Sequence, residues 1–217
     1  YLYKDLGKFE EAIKVTDDAL NSVKIGSDTW FMIMVNRGNI LYEIGRESND
    51  TDIRSIQSQK ALSKYYIPAM EFRGTIKNKG LIAETLVNMG NAYKDIDEFK
   101  KSEVYLRDAL VIKRKISASS SLANTFVNMA DLYLKQKEYK KAKPFLIDAL
   151  SIYSLTGYEL GLGAAYYNLG DIHWATGESD KATSYYKRAY ESFSVSNIGG
   201  AYKKYTARRL ERMKNNE

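Results

Sequence analysis

Hydrophobic residues recur along this chain at steps of three and four. Between 122 and 134 they fall at Leu122, Phe126, Met129, Leu132 and Tyr133. A second run follows at Tyr139, Ala142, Phe145, Leu146, Ala149, Leu150 and Tyr153. An α-helix turns once every ~3.6 residues, so each run lies on one helical face. Lys137–Glu138 separates the two runs, and Gly177–Glu178 separates a similar pair further on. Two amphipathic helices joined by so short a break fold back on each other, and the pattern predicts a helical hairpin.

The hairpin repeats. Residues 81–116, 121–156 and 161–196 align without a gap at a spacing of 40. Leu86, Phe126 and Tyr166 form one column, and Asn88, Asn128 and Asn168 another. Met89, Met129 and Leu169 are each followed by a small residue, Gly90, Ala130 or Gly170. Tyr93, Tyr133 and His173 share a column, as do Ala109, Ala149 and Ala189. The small residues predict close approach of the two helices of a hairpin. Extending the register backwards finds two more copies. Residues 1–26 match a second half-unit, with Phe9 under Phe99 and Ala19 under Ala109. Residues 28–77 match a whole unit, with Asn36 under Asn88, but carry about twelve extra residues at 46–57. The expected organisation is a solenoid over 1–198, with units at 1–26, 28–77, 81–117, 121–157 and 161–197. A capping or linking helix over 199–217 follows. Arg37 in an apolar column, and Pro68 in mid-helix, predict an irregular second hairpin with a kink. Pro144 stands nearer a helix start, where a missing N–H costs less.

Composition agrees and removes alternatives. Two Pro in 217 residues suit helix. With no Cys there is no disulfide, thiol nucleophile, zinc ribbon or iron–sulfur cluster, and one His leaves no multi-His metal site. The expectation is therefore a chain without metal, cofactor or catalytic constellation, that is, not an enzyme. GLGAAY at 161–166 lacks the third glycine of a dinucleotide loop, and no strand precedes it. No apolar run approaches the length of a membrane span. The chain starts at Tyr1, which reads as a fragment or processed form and leaves the compartment open.

This pattern resembles the tetratricopeptide repeat family. Its signature positions are filled by Tyr166, Leu169, Gly170, His173, Ala182 and Ala189, and one unit earlier by Phe126, Met129, Ala130, Tyr133, Ala142 and Ala149. The common repeat has 34 residues. The 40-residue unit looks like the subgroup of kinesin light chains, Pins-type polarity proteins and Rap-class peptide receptors. The resemblance implies an all-α, right-handed superhelical solenoid of antiparallel helical hairpins. Its ligand is expected to be a protein or an extended or helical peptide, held by the first helix of each unit. A runner-up reading is the sensory region of a larger bacterial signalling protein, a histidine kinase or transcriptional regulator.

Carried over column by column, the groove positions are Met32, Val35, Asn36, Asn39 and Tyr42; Glu84, Val87, Asn88, Asn91, Lys94 and Asp95; Asn124, Val127, Asn128, Asp131, Leu134 and Lys135; and Tyr167, Asn168, Asp171, Trp174 and Ala175. The column Asn36, Asn88, Asn128 and Asn168 is the sharpest feature. Each Asn costs roughly 0.5–0.7 kcal/mol of helix propensity relative to Ala. A side-chain amide both donates and accepts, so a ladder of them can hold a peptide backbone of any sequence. Alternatively, each Asn bonds a neighbouring helix. Asn91, Asp131 and Asp171 add polarity one turn on and suit a ligand with N–H groups or positive charge. Tyr167 and Trp174 form an anchor pocket for a ligand side chain, or pack on the next helix.

Other features read as structural. His173 occupies a tyrosine slot and is expected to be packed and hydrogen-bonded, and Trp30 is expected in the core. Asn49–Thr51 is a formal glycosylation sequon. The net charge of +6 is concentrated in the last 17 residues, where Lys203, Lys204, Arg208, Arg209, Arg212 and Lys214 face two acids, Glu211 and Glu217. That helix could touch a polyanion, but it reads better as a solvated cap with Tyr202, Tyr205 and Leu210 on the last hairpin. The groove positions are mixed in charge, which favours a peptide and predicts no nucleic-acid partner.

Overall fold

The structure, a computed structural model, describes residues 6–48, 50–116, 119–196 and 199–214. Asn49 of the sequon, residues 1–5 and 215–217, and the side chain of Phe9 lie outside the described residues. What is described is all-α and built of antiparallel helix pairs. It divides into two compact units, residues 1–116 and 117–217.

In the first unit, α1 (Leu6–Ser22) packs on α2 (Asp28–Glu47). The second helix of that pair begins as α3 (Thr51–Ala61), passes through a π-helical turn at Leu62–Tyr66 and ends as α4 (Ile67–Glu71). Then come α5 (Lys79–Asp95) and α6 (Phe99–Lys115). Side-chain caps start three of these helices. Ser27 accepts from the Trp30 N–H, Asp50 from Asp52 and Ile53, and Asn78 from Leu81. Each such cap is worth ~1 kcal/mol because it satisfies an otherwise orphaned N–H.

The extra residues at 46–57 do not form a long loop. They finish α2 and supply the first turns of α3. The disruption expected at Pro68 takes the form of the π turn. Pro68 has no N–H, and its ring would crowd the carbonyl four residues back in an α-helix. Instead the Ile67 N–H bonds the carbonyl of Leu62, five residues back, just ahead of Pro68. Arg37, the polar residue in an apolar column, is buried. It ion-pairs with Asp17 of α1, and its guanidinium lies 5.1 Å over the ring of Tyr65. Trp30 is in the core, edge-on to Phe72.

The second unit holds α7 (Ser119–Lys135), α8 (Tyr139–Thr156), α9 (Glu159–Ala175), α10 (Ser179–Val195) and α11 (Gly200–Lys214). α8 packs on both α7 and α9, and α10 on both α9 and α11. Its core includes Phe126, Met129, Leu146, Tyr153, Leu169, Tyr186 and Phe193, all buried. Pro144 lies inside α8, which continues through it as α-helix.

Within the hairpins the small-residue column does what its size allows. A Cβ on Gly38 would stand 2.4 Å from the Tyr66 ring, and one on Gly170 would stand 2.6 Å from the Tyr186 ring. At Gly90 it would meet Leu106 at 2.6 Å. Only glycine permits these crossings, since real Cβ contacts are far longer. The turn between the two helices of a hairpin has a left-handed residue at Asp97, Lys137 and Gly177, each 40 after the last.

Candidate first-helix binding face

The polar columns of the first helices are organised by hydrogen bonds between successive helices. In the first unit the Asn88 amide of α5 donates to Asn39 Oδ1 of α2 at 2.7 Å. Tyr66 donates its hydroxyl to the same oxygen at 2.8 Å. In the second unit the Asn168 amide of α9 donates to Asp131 Oδ1 of α7 at 2.9 Å. Arg209 of α11 donates to Asp171 Oδ1 of α9 at 3.1 Å, and the Tyr186 hydroxyl donates to that oxygen at 2.6 Å. Asn39, Asp131 and Asp171 share a column, three residues after Asn36, Asn128 and Asn168. These three joints within the units share one geometry: a donor in the Asn column bonds an acceptor three positions further along the preceding first helix.

Arg209 shares this geometry because α11 is in register with the first helices, at a spacing of 41 from α9 rather than 40. The buried threonines show the register. Thr85, Thr125 and Thr206 are each fully buried, and each hydroxyl bonds the carbonyl four residues back. Ala165 is the buried residue of that column in α9. In this register Arg209 stands where Asn168 stands. The opposite side of α11, where a second helix would pack, carries Lys204, Arg208 and Glu211, all exposed.

Burial separates groove positions from packing positions. Val35 and Val87, read from the sequence as groove residues, are core at 2% and 5% exposure. Asn36 and Lys135 are exposed, whereas Asn88, Asn91, Lys94, Asn128, Asp131, Tyr167, Asn168, Asp171 and Trp174 are half-buried. Asn91 Oδ1 and Asp95 Oδ2 are buried without a hydrogen-bond partner among the described residues. Glu84 is bonded by the buried Lys113 ammonium at 2.8 Å. The Tyr167 ring lies against Tyr186 of α10, 5.4 Å between centroids. Burial, then the neighbouring Asp171 carboxylate, push its hydroxyl pKa up. Trp174 lines a cavity of about 240 Å³ with Arg209, Arg212 and Met213.

Two family models match this chain, both described as tetratricopeptide repeat, over residues 121–194 and 82–117. Together they take in half of it. The chain belongs to the tetratricopeptide repeat family. Among solved structures, BtubC (BKLC) from P. vanneervenii matches with a TM-score of 0.65 and 14% identity, over 95% of this chain and 80% of that one. A putative kinesin light chain from Podospora anserina, with nearly identical TPR-like repeats, matches with a TM-score of 0.64 and 12% identity, over 88% and 87%. At such identities the likeness is one of fold. No curated protein matches the chain in sequence.

In tetratricopeptide terms, His173 fills the tyrosine position of its repeat. It is 3% exposed and stacks on Tyr185, 5.2 Å between centroids, as Tyr93 stacks on Tyr105. Its Nδ1 meets Glu178 Oε1 at 3.0 Å, and its Nε2 meets Lys143 Nζ at 3.4 Å. Hydrogen bonds from Lys181 and His173 hold the Glu178 carboxyl down at about 2. Glu98, Glu138 and Glu178 recur at the same turn, each paired with a lysine three residues on. Sequence reasoning placed Asn39 in the groove without seeing it as the hub of a joint, and read Arg209 only as part of a basic cap. The signal for Arg209 was the Thr column, displaced by a single residue. No helix among the described residues is long and apolar enough to cross a membrane.

Proposed function

We propose that this chain is a non-catalytic protein-interaction module in which the first helices within each unit, α2 and α5 in one and α7 and α9 in the other, hold an extended peptide. The observation that carries the reading is the unused capacity of the Asn column. Asn36 and Asn128 make no hydrogen bond among the described residues. Asn88 and Asn168 each give one N–H to a joint, leaving the side-chain oxygen and the second N–H. An amide that still donates and accepts can bond the backbone of a peptide whatever its sequence. Asn91 and Asp95 add acceptors for ligand N–H groups. Lys94 and Lys135 place positive charge in the last turns of α5 and α7. Asp131 and Asp171 are engaged by Asn168, Tyr186 and Arg209, so their charge serves the joints before it serves a ligand.

The test is selection of binding peptides from a random library with the intact chain, followed by affinity measurement on the Asn128→Ala variant. Asn128 has no hydrogen-bond partner among the described residues, so the variant's melting temperature is expected to stay where it is while affinity drops about tenfold, worth about 1.4 kcal/mol. Equal affinity for wild type and variant would remove the column from the binding site.

A further inference from the structure

The second unit carries a surface that peptide binding by the Asn column does not use. α11 has six basic residues, Lys203, Lys204, Arg208, Arg209, Arg212 and Lys214, against the single acid Glu211. Lys204, Arg208 and Arg212 are exposed, and none makes a hydrogen bond or ion pair among the described residues. They stand four residues apart on one ridge of the helix, at steps of about 6 Å. That is close to the phosphate-to-phosphate step of an extended single strand. Tyr205 stands beside the ridge, between Lys204 and Arg208 in sequence and 64% exposed. At its Arg212 end lies the cavity of about 240 Å³ lined by Trp174, Arg209, Arg212 and Met213. Arg209 is already fixed by Asp171 and Tyr186, whereas Arg212 has no hydrogen-bond or ion-pair partner among the described residues.

We propose that this ridge and cavity form a binding site for single-stranded nucleic acid. Phosphates lie along Lys204, Arg208 and Arg212, and an unpaired base enters the cavity to stack on Trp174, with a second on Tyr205. Guanidinium groups offer paired donors to phosphate oxygens, and each aromatic face accepts any base. A bilayer is the poorer fit. A helix that lies on lipid must present an apolar face, and α11 spends its own on α10, with Thr206 buried and Tyr202 stacked on Phe193. An acidic protein would answer the charge but would leave the two aromatic faces without a matching group.

The experiment is fluorescence anisotropy of a labelled twelve-residue oligo-dT with the intact chain, titrated at several salt concentrations. Unlabelled polyglutamate of equal length and anionic phosphatidylserine vesicles serve as competitors. Binding is expected to weaken linearly in log affinity against log salt. Arg212→Gln should lower that slope by about 0.7. Trp174→Ala should weaken binding about tenfold with the slope unchanged, and Trp174→Phe should retain it, because stacking carries little salt dependence. Far-UV circular dichroism of each variant checks that α11 stays folded. Asn128→Ala should leave oligonucleotide affinity unchanged, so this proposal and the peptide reading stand or fall separately. The site is overturned by absence of binding, by equal competition from polyglutamate or vesicles, or by a Trp174→Ala variant that binds as wild type does.

Discussion

The hairpin of α2 with α3 and α4 and the hairpin of α9 with α10 solve the same crossing in different surroundings. Gly38 meets Tyr66 in one, Gly170 meets Tyr186 in the other, and each tyrosine hydroxyl bonds the residue after the glycine, Asn39 or Asp171. Around that lock everything differs. The first hairpin has longer helices and a π turn; the second has a left-handed turn residue at Gly177 and unbroken α-helices. The crossing therefore sets how the two helices pair, and the ends and turns adjust to it. The hairpins between them use Leu106 against Gly90 and Leu146 where Tyr66 and Tyr186 stand. A leucine has no hydroxyl to offer, and Asn91 Oδ1, beside Gly90, is buried without a hydrogen bond among the described residues.

The largest expected effect comes from forcing the crossing apart. Gly38→Ala and Gly170→Ala should each destabilise by about 1–3 kcal/mol, because the added Cβ must displace a buried ring. Urea unfolding of both variants checks the comparison: costs of similar size sharpen it, and a harmless Gly38→Ala breaks it. Removing only the hydroxyls is milder. Tyr66→Phe should cost about 1 kcal/mol, and Tyr186→Phe about 2 kcal/mol, since its partner Asp171 is a carboxylate rather than an amide. Equal losses in thermal melts would mean that the charge on Asp171 adds nothing to the lock.

Smallest is an effect of pH confined to the second of the two hairpins. Glu178 is held at about 2 in the folded chain, from an ordinary 4.5. Its contribution is therefore full above about 4.5 and fades as the pH falls towards 2. Glu178→Gln should flatten the acid limb of melting temperature against pH in that window while leaving the values near neutrality almost unchanged. An acid limb of the same slope in the variant would show that other carboxylates set it.

The helical pairs were legible because apolar steps of three and four, repeated every 40 residues, leave a chain few other ways to bury its large side chains. The close approach at Gly90 and Gly170 was legible for the same reason. The joints were not. An Asn in mid-helix suits a ligand and a neighbouring helix equally well, and only the register between helices decides which oxygen lies 2.7 Å from Asn88. Val35 and Val87 were misplaced in the groove because a helix face has no sharp edge in sequence, and burial draws one. Pro68 marked a disturbance, but a π turn leaves no trace in residue type. The +6 charge pointed to α11, yet the free ridge of Lys204, Arg208 and Arg212 emerged only once Arg209 was seen to be taken by Asp171.

The joint geometry is tested most directly by a double-mutant cycle on Asn168 and Asp131, with the stability of wild type, Asn168→Ala, Asp131→Ala and the double variant measured by urea unfolding. A hydrogen bond between α9 and α7 predicts a coupling of about 1 kcal/mol, with the double variant less destabilised than the two single losses added together. Strict additivity of the two losses would contradict it.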